Sequence, residues 1–165
     1  MVKRSGLEPA VENGDWQDPS ITFDIIGWLR AESKLPVVVK GVLRGDDALA
    51  CIAAGASAVV VSNHGGRQLD GAIATARALA EVVQAVGDSG EVYVDGGIRS
   101  GLDALRALAL GARAVLVGRP VLWGLVTGGQ PGVRGVLERI REELEAAAAL
   151  AGAASISEIT RDLIA

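Results

Sequence analysis

The only histidine of the chain, His64, stands three residues before Arg67 in Ser62-Asn63-His64-Gly65-Gly66-Arg67-Gln68-Leu69-Asp70-Gly71. An imidazole accepts a proton near neutral pH, and a guanidinium can clamp a carboxylate through two parallel hydrogen bonds. Together, with glycines between them, they point to proton removal from a small substrate that carries a carboxylate. A histidine alone is more often structural than catalytic; Arg67 and the glycine-rich turn favour the chemical reading. Two further stretches, Asp95-Gly96-Gly97-Ile98-Arg99-Ser100-Gly101 and Gly118-Arg119-Pro120, join bare glycine backbone to an arginine ahead of an expected helix. Backbone N–H groups and a helix N-terminus converge there on negative charge, which suggests a phosphorylated ligand. The alternative is that these glycines only turn tight corners and that Arg99 and Arg119 are solvated. Lys40 closes the run Val37-Val38-Val39-Lys40-Gly41 and either snorkels from a strand end or reaches a bound anion.

The elements that must position these groups alternate along the chain. A helix is expected from about Ile21 to Ala31, with an apolar stripe of Ile21, Ile25, Ile26 and Leu29, and Pro36 then admits a strand from Val37 to Lys40. A helix near Asp46 to Ala54, the strand Ser57 to Val61 and a helix near Ala72 to Val86 follow. The strand Val92 to Asp95, a helix near Leu102 to Leu110, the strand Arg113 to Val117 and a helix from about Val133 to Leu150 complete the series. The strands are short, apolar and β-branched, as in a parallel sheet covered on both faces, and Tyr93 reads as a core residue within one of them. His64, Arg67 and the glycine loops then fall just past the carboxyl ends of strands, the rim where α/β folds place chemistry.

An internal repeat supports this alternation. A single shift lays Gly41 on Gly97, Val42 on Ile98, Gly45 on Gly101, Asp47 on Asp103 and Leu49 on Leu105, and continues with Gly55 on Gly111 and Val61 on Val117. The unit is two βα steps, and two such units amount to half a (β/α)₈ barrel, whose full form takes roughly 250 residues. The expected class is therefore α/β, a parallel half-barrel plus a C-terminal helix. Residues 1–17 read as a polar leader and residues 18–165 as the half-barrel.

Composition narrows the partners. Hydrophobic residues make up 50% and aromatic ones 3%, which suits helices packed closely on parallel strands rather than an aromatic-rich sandwich. A net charge of −4 with no lysine or arginine cluster argues against a nucleic-acid groove. Cys51 is alone in an apolar helical pattern, so no intrachain disulfide is expected and a reducing compartment fits. The leader lacks the apolar core of a secretory signal, the alanine run from Ala146 to Ala154 is too short to span a bilayer, and no metal site is expected. These features read as cytoplasmic.

The segment from Ser62 to Asp70 resembles the signature of the FMN-dependent 2-hydroxy-acid oxidases and dehydrogenases, the family of glycolate oxidase, lactate oxidase and mandelate dehydrogenase. Leu35-Pro36-Val37-Val38-Val39-Lys40-Gly41, Asp95-Gly96-Gly97-Ile98-Arg99 and Gly118-Arg119-Pro120 match its other C-terminal motifs in order and spacing, so the resemblance runs from about Asp18 to Ala165. Glycine-rich phosphate loops recur in other barrels, including inosine-monophosphate dehydrogenase; the stretch from Ser62 to Asp70 is the specific one. The resemblance implies that the strands are five to eight of the barrel, with FMN as cofactor and oxidation of an (S)-2-hydroxy acid to the 2-oxo acid. It implies His64 as the base and Arg67 as the group that holds the substrate carboxylate. Lys40 would lie by the flavin N1 and O2, and Ser62 would hydrogen-bond the flavin. Asp95, Gly96, Gly97, Ile98 and Arg99, with Gly118 and Arg119, would take the ribityl chain and phosphate. The family's substrate-binding tyrosines and the aspartate that orients its histidine belong to the other half of the barrel. A complementary half-barrel or self-association is therefore expected, the alternative being a non-catalytic half-barrel that binds FMN or phosphate weakly.

Overall fold

The structure, a computed structural model, describes residues 20–164; the polar leader lies outside the described residues. After α1 (Asp24–Ser33), the strands β1 (Val38–Val42), β2 (Ala58–Val61), β3 (Glu91–Asp95) and β4 (Ala114–Leu116) lie side by side in chain order, all parallel. Parallel neighbours need a crossover, and α2 (Gly45–Ala53), α3 (Thr75–Val86) and α4 (Gly101–Ala109) supply it. Each strand feeds a helix, β4 leading into α5 (Arg119–Ala151).

Period-two alternation along the strands sends Val59, Val61, Val92 and Val94 to one face, where they meet Ala48 and Cys51 of α2 and Leu79, Val82 and Val86 of α3 in a single buried cluster. Leu79 and Val82 are fully buried, each contributing roughly 1.5–3 kcal/mol relative to exposure. A second cluster joins Leu105 and Ala109 of α4 to Ala153 and Ile159 of the C-terminal segment. Among the described residues no helix layer covers the opposite face of the sheet: Val38 and Leu116 at its two flanks are 44% and 39% exposed, whereas Ala58 and Val60 in the middle are buried. Tyr93 lies on this second face, in register with Val60 and Ala114; it is half-buried and its hydroxyl bonds Glu91, so the expected core placement is corrected. Alternation decides this, because Val92 and Val94 on either side of Tyr93 take the helix-covered face.

β1 contains a bulge. Lys40 pairs with Val60 but Val42 pairs with Val61, so Gly41, at φ +102°, is the unpaired extra residue. Residues two apart normally share a face. The bulge instead leaves Lys40 on the open face and turns Val42, 6% exposed, into the helix-covered core.

Several boundaries differ from expectation. β1 begins one residue later and continues through the bulge to Val42, and α3 starts at Thr75 rather than Ala72. α5 joins two helical stretches, the one expected from about Val133 and, before it, one not expected that Gly118-Arg119-Pro120 opens directly, with proline in its first turn where no N–H is needed. This helix folds back on itself at Gly129, whose φ of +58° and ψ of −144° are non-helical. In a straight helix, residues 124 and 132 would lie about 12 Å apart, whereas a Cβ added at Gly132 would sit 2.0 Å from the Gly124 carbonyl oxygen. Only glycine at both positions allows this backbone contact.

Candidate active site

β2 ends and the chain turns at once through Ser62 and Asn63 into a left-handed run: His64 at φ +56°, Gly65 at +66° and Gly66 at +74°. Glycine adopts this region freely, but a residue with a Cβ does so at a cost of order 1–3 kcal/mol, and such strain gathers at functional positions. Side chains hold the turn: Asn63 accepts the Gly66 N–H at 3.2 Å and donates to the Ile73 carbonyl at 3.3 Å. Ser62, 1% exposed, accepts the His64 backbone N–H at 3.1 Å. The His64 ring is exposed, with Gln68 Nε2 3.2 Å from its Nδ1.

Three neighbouring strand ends meet beneath this turn. Lys40 Nζ donates to Ser62 Oγ at 2.7 Å and pairs with Asp95 Oδ2 at 2.7 Å, linking β1, the end of β2 and β3. The Lys40 side chain is 46% exposed, so the pair contributes about 0–1 kcal/mol to stability and matters mainly for placing the ammonium. Asp95 Oδ1 is buried without a hydrogen-bond partner among the described residues. An acceptor left bare in this way is costly and fits a ligand hydroxyl.

A cleft of about 440 Å³ opens beside this cluster, formed by the loops after β2, β3 and β4. It brings together His64, Arg67, Asp95, Gly96, Gly97, Ile98, Arg99, Gly118 and Arg119, so nine of the residues singled out in the sequence share one concavity. Lys40 and Ser62 do not line it; they reach it through their bonds to Asp95 and to the His64 backbone. Among the described residues, none of the guanidiniums of Arg67, Arg99 and Arg119 has an acidic partner. A Cβ added at Gly97 or Gly118 would meet nothing within 4 Å, so the backbone there borders open space.

One part of the sequence reading needs correction. Most N–H groups at the N-terminus of α4 are already taken rather than bare for an anion. Asp103 Oδ2 accepts from the backbone of both Arg99 and Ser100 at 3.1 Å, Ser100 closes a capping box with Asp103, and Glu143 Oε2 accepts the Gly101 N–H at 3.0 Å. The Gly101 N–H and Arg139 hold the Glu143 carboxyl below the usual glutamate range. What remains for an anion is the Gly96-Gly97-Ile98 backbone, Arg99 and the start of α5, all of them at the cleft. Sequence reasoning also passed over Asn63, Gln68 and Thr75. Thr75, 5% exposed, places Oγ1 3.4 Å from the Gly96 carbonyl and so joins the loops after β2 and β3. The signal for Asn63 was its place three residues before Gly66, the spacing of a capping side chain.

A family profile described as FMN-dependent dehydrogenase matches residues 4–165. The chain belongs to this family. It is 56% identical over 142 residues to an L-lactate oxidase of a Nostoc species, covering 86% of this chain and 39% of that protein. It is 52% identical over 147 residues to 2-hydroxyacid oxidase 1 of Mus musculus, covering 89% and 40%. A crystal structure of mandelate oxidase with (S)-4-hydroxymandelic acid superimposes with a TM-score of 0.83 at 53% identity, over 86% of this chain and 40% of that one. The fold is thus part of a TIM barrel, and the chain spans about two fifths of the length of the relatives it matches. FMN is the family's cofactor. The residues present fit it: among the described residues Asp95 Oδ1 is an orphaned acceptor for a polyol, and Arg99 and Arg119, without acidic partners there, lie beside open glycine backbone and suit a phosphate. No described helix is long and apolar enough to cross a membrane, and no group of three or more metal-ligating side chains occurs among the described residues.

Proposed function

We propose that the chain supplies the flavin-phosphate and substrate-base side of an FMN-dependent enzyme oxidising small (S)-2-hydroxy acids to 2-oxo acids. The observation that carries this is the cleft holding the sole histidine together with three guanidiniums that lack acidic partners among the described residues. Arg67 holds the substrate carboxylate and His64 takes a proton from the hydroxy-acid carbon or its hydroxyl. Arg99 and Arg119, with the Gly96-Gly97 and Gly118 backbone, hold the cofactor phosphate, and Asp95 accepts from its ribityl hydroxyls. Lys40, positioned by Ser62, places positive charge beside the isoalloxazine. Bound FMN would supply the two-electron acceptor. The lone Cys51, buried and with its thiol pKa raised by that burial, is consistent with a reducing, cytoplasmic setting.

The test is to titrate FMN into the full chain by fluorescence. Turnover of lactate or glycolate with a dye acceptor is then assayed after co-expression with the N-terminal segment of a 2-hydroxy-acid oxidase. FMN binding that Arg99→Ala and Arg119→Ala weaken, with turnover that requires His64, is the expected result. FMN binding indifferent to both arginines removes the reading.

A second reading has its own observation. Among the described residues β1 and β4 each pair with a single strand, and the face between them has no helix layer. Open edges recruit strands, and two copies of this half-barrel could close on each other about a two-fold axis. Light scattering during size exclusion checks this; a monomer at all concentrations would end the self-association reading.

A further inference from the structure

We propose that Thr75 is the positioning residue of the phosphate loop, its hydroxyl holding the Gly96 carbonyl so that the Gly97 N–H faces the anion. The proposal rests on the reading of this loop as a phosphate binder, and Thr75 has no role in that reading. Among the described residues Ser62 and Thr75 are the two buried polar side chains, and the proposed site uses only Ser62. Thr75 opens α3 without capping it: Ala74 holds the N-cap position, and no side chain bonds the helix end there. Thr75 Oγ1 instead lies 3.4 Å from the Gly96 carbonyl oxygen, its one hydrogen-bond partner among the described residues. A carbonyl only accepts, so the hydroxyl donates. The distance is long for such a bond, yet the loop packs directly on this side chain, since a Cβ added at Gly96 would sit 3.0 Å from Oγ1.

The peptide between Gly96 and Gly97 needs an anchor of this kind. Both residues are left-handed, at φ +87° and +82°, and neither has a Cβ to resist rotation of the peptide plane between them. No described peptide bond is cis, so the carbonyl and the N–H of this plane point opposite ways. With the carbonyl turned to Thr75, the Gly97 N–H points away from it. No described group accepts that N–H, and Gly97 borders the open cleft. A half-turn of the plane would set the carbonyl oxygen there instead, and its partial negative charge would repel a phosphate. The Thr75 hydroxyl selects the orientation that attracts one.

Two substitutions separate the hydroxyl from the bulk of the side chain. Thr75→Val keeps the shape and removes the donor, whereas Thr75→Ser keeps the donor and removes a methyl. FMN titration of the full chain should show affinity about 2–10-fold lower in Thr75→Val, the worth of one hydrogen bond, and close to wild type in Thr75→Ser. A packing role gives the reverse order, because only serine leaves a void. Riboflavin, which lacks the phosphate, should bind all three chains alike. A second readout needs no flavin. With glycine labelled at its carbonyl carbon and its nitrogen, a carbonyl-filtered amide spectrum reports only Gly66, Gly97 and Gly129, the glycines that follow another glycine. The Gly97 signal is the one that Gly97→Ala removes; it should shift in Thr75→Val and return in Thr75→Ser. Undiminished FMN affinity in Thr75→Val, weaker binding by Thr75→Ser than by Thr75→Val, an equal loss for riboflavin, or an unmoved Gly97 signal overturns the proposal. Wild type that binds no FMN removes the function proposed for the chain, and the Gly97 signal then decides the hold of Thr75 by itself.

Discussion

The two halves of the internal repeat share a backbone plan and, on the proposed reading, divide the work. Gly45 and Gly101 occupy equivalent places at the start of α2 and α4, and each donates its N–H to a glutamate from a later helix, Glu81 at 2.9 Å and Glu143 at 3.0 Å. Val42 and Ile98 are likewise equivalent and both enter the core. The groups at the rim differ. In the first half, the rim carries Lys40, Ser62, His64 and Arg67; at the positions equivalent to the first three, the second half has Gly96, Gly118 and Pro120. One half presents reactive side chains and the other a bare backbone flanked by arginines. A duplicated scaffold can therefore specialise by changing a few residues beyond its strand ends, since the core that positions them is untouched.

The sharpest way to break this division is to remove one group from each half. In an assembly that turns over, His64→Ala should lower turnover by about 10²–10⁴-fold, the usual worth of a general base, while FMN affinity stays the same. Stopped-flow reduction beside a fluorescence titration measures both, and loss of FMN affinity in this variant would show that the halves do not divide the work as described. Arg99→Ala and Arg119→Ala should do the converse. Losing a hydrogen bond to a charged group costs about 1.5–3 kcal/mol, or roughly 10–150-fold in FMN affinity, and FMN titration of the two variants would detect it.

The shared scaffold can be tested through its equivalent glycines. A Cβ at Gly101 would lie 2.0 Å from the Leu144 backbone nitrogen, whereas one at Gly45 would lie 2.9 Å from the Ala85 methyl. Gly101→Ala should therefore destabilise by about 1–3 kcal/mol or more and Gly45→Ala by less, because main chain yields less readily than a side-chain methyl. Thermal melts of the two variants decide it, and equal losses would mean that both sites relax alike. The smallest effect concerns acid. The Glu143 carboxyl is held low first by the Gly101 N–H and then by Arg139, so its contribution is present above the ordinary glutamate range and fades as pH falls through the lowered value. Melting temperature should accordingly drop less between neutral pH and pH ~3 in Glu143→Gln than in wild type; identical acid profiles would remove this cap from the account.

The alternation of elements, the four strands and the rim position of His64, Arg67, Arg99 and Arg119 were legible in the chain itself. Runs such as Val59-Val60-Val61 and the turn glycines that follow them act through neighbours a few residues away, so local pattern suffices. The family signature between Ser62 and Asp70 was readable for the same reason. Contacts between distant residues decided the rest. The bulge at Gly41 depends on pairing with β2, and it alone separates Lys40 from Val42. The N-terminus of α4 looked open to an anion because Glu143, 42 residues away, could not be foreseen on Gly101. The fold-back at Gly129 rests on Gly124 meeting Gly132, and Asp95 becomes an orphaned acceptor only once Lys40 takes its other oxygen. Sequence determined which groups stand at the rim; tertiary packing decided which of them are already satisfied, because satisfaction depends on partners that only folding brings within hydrogen-bond distance.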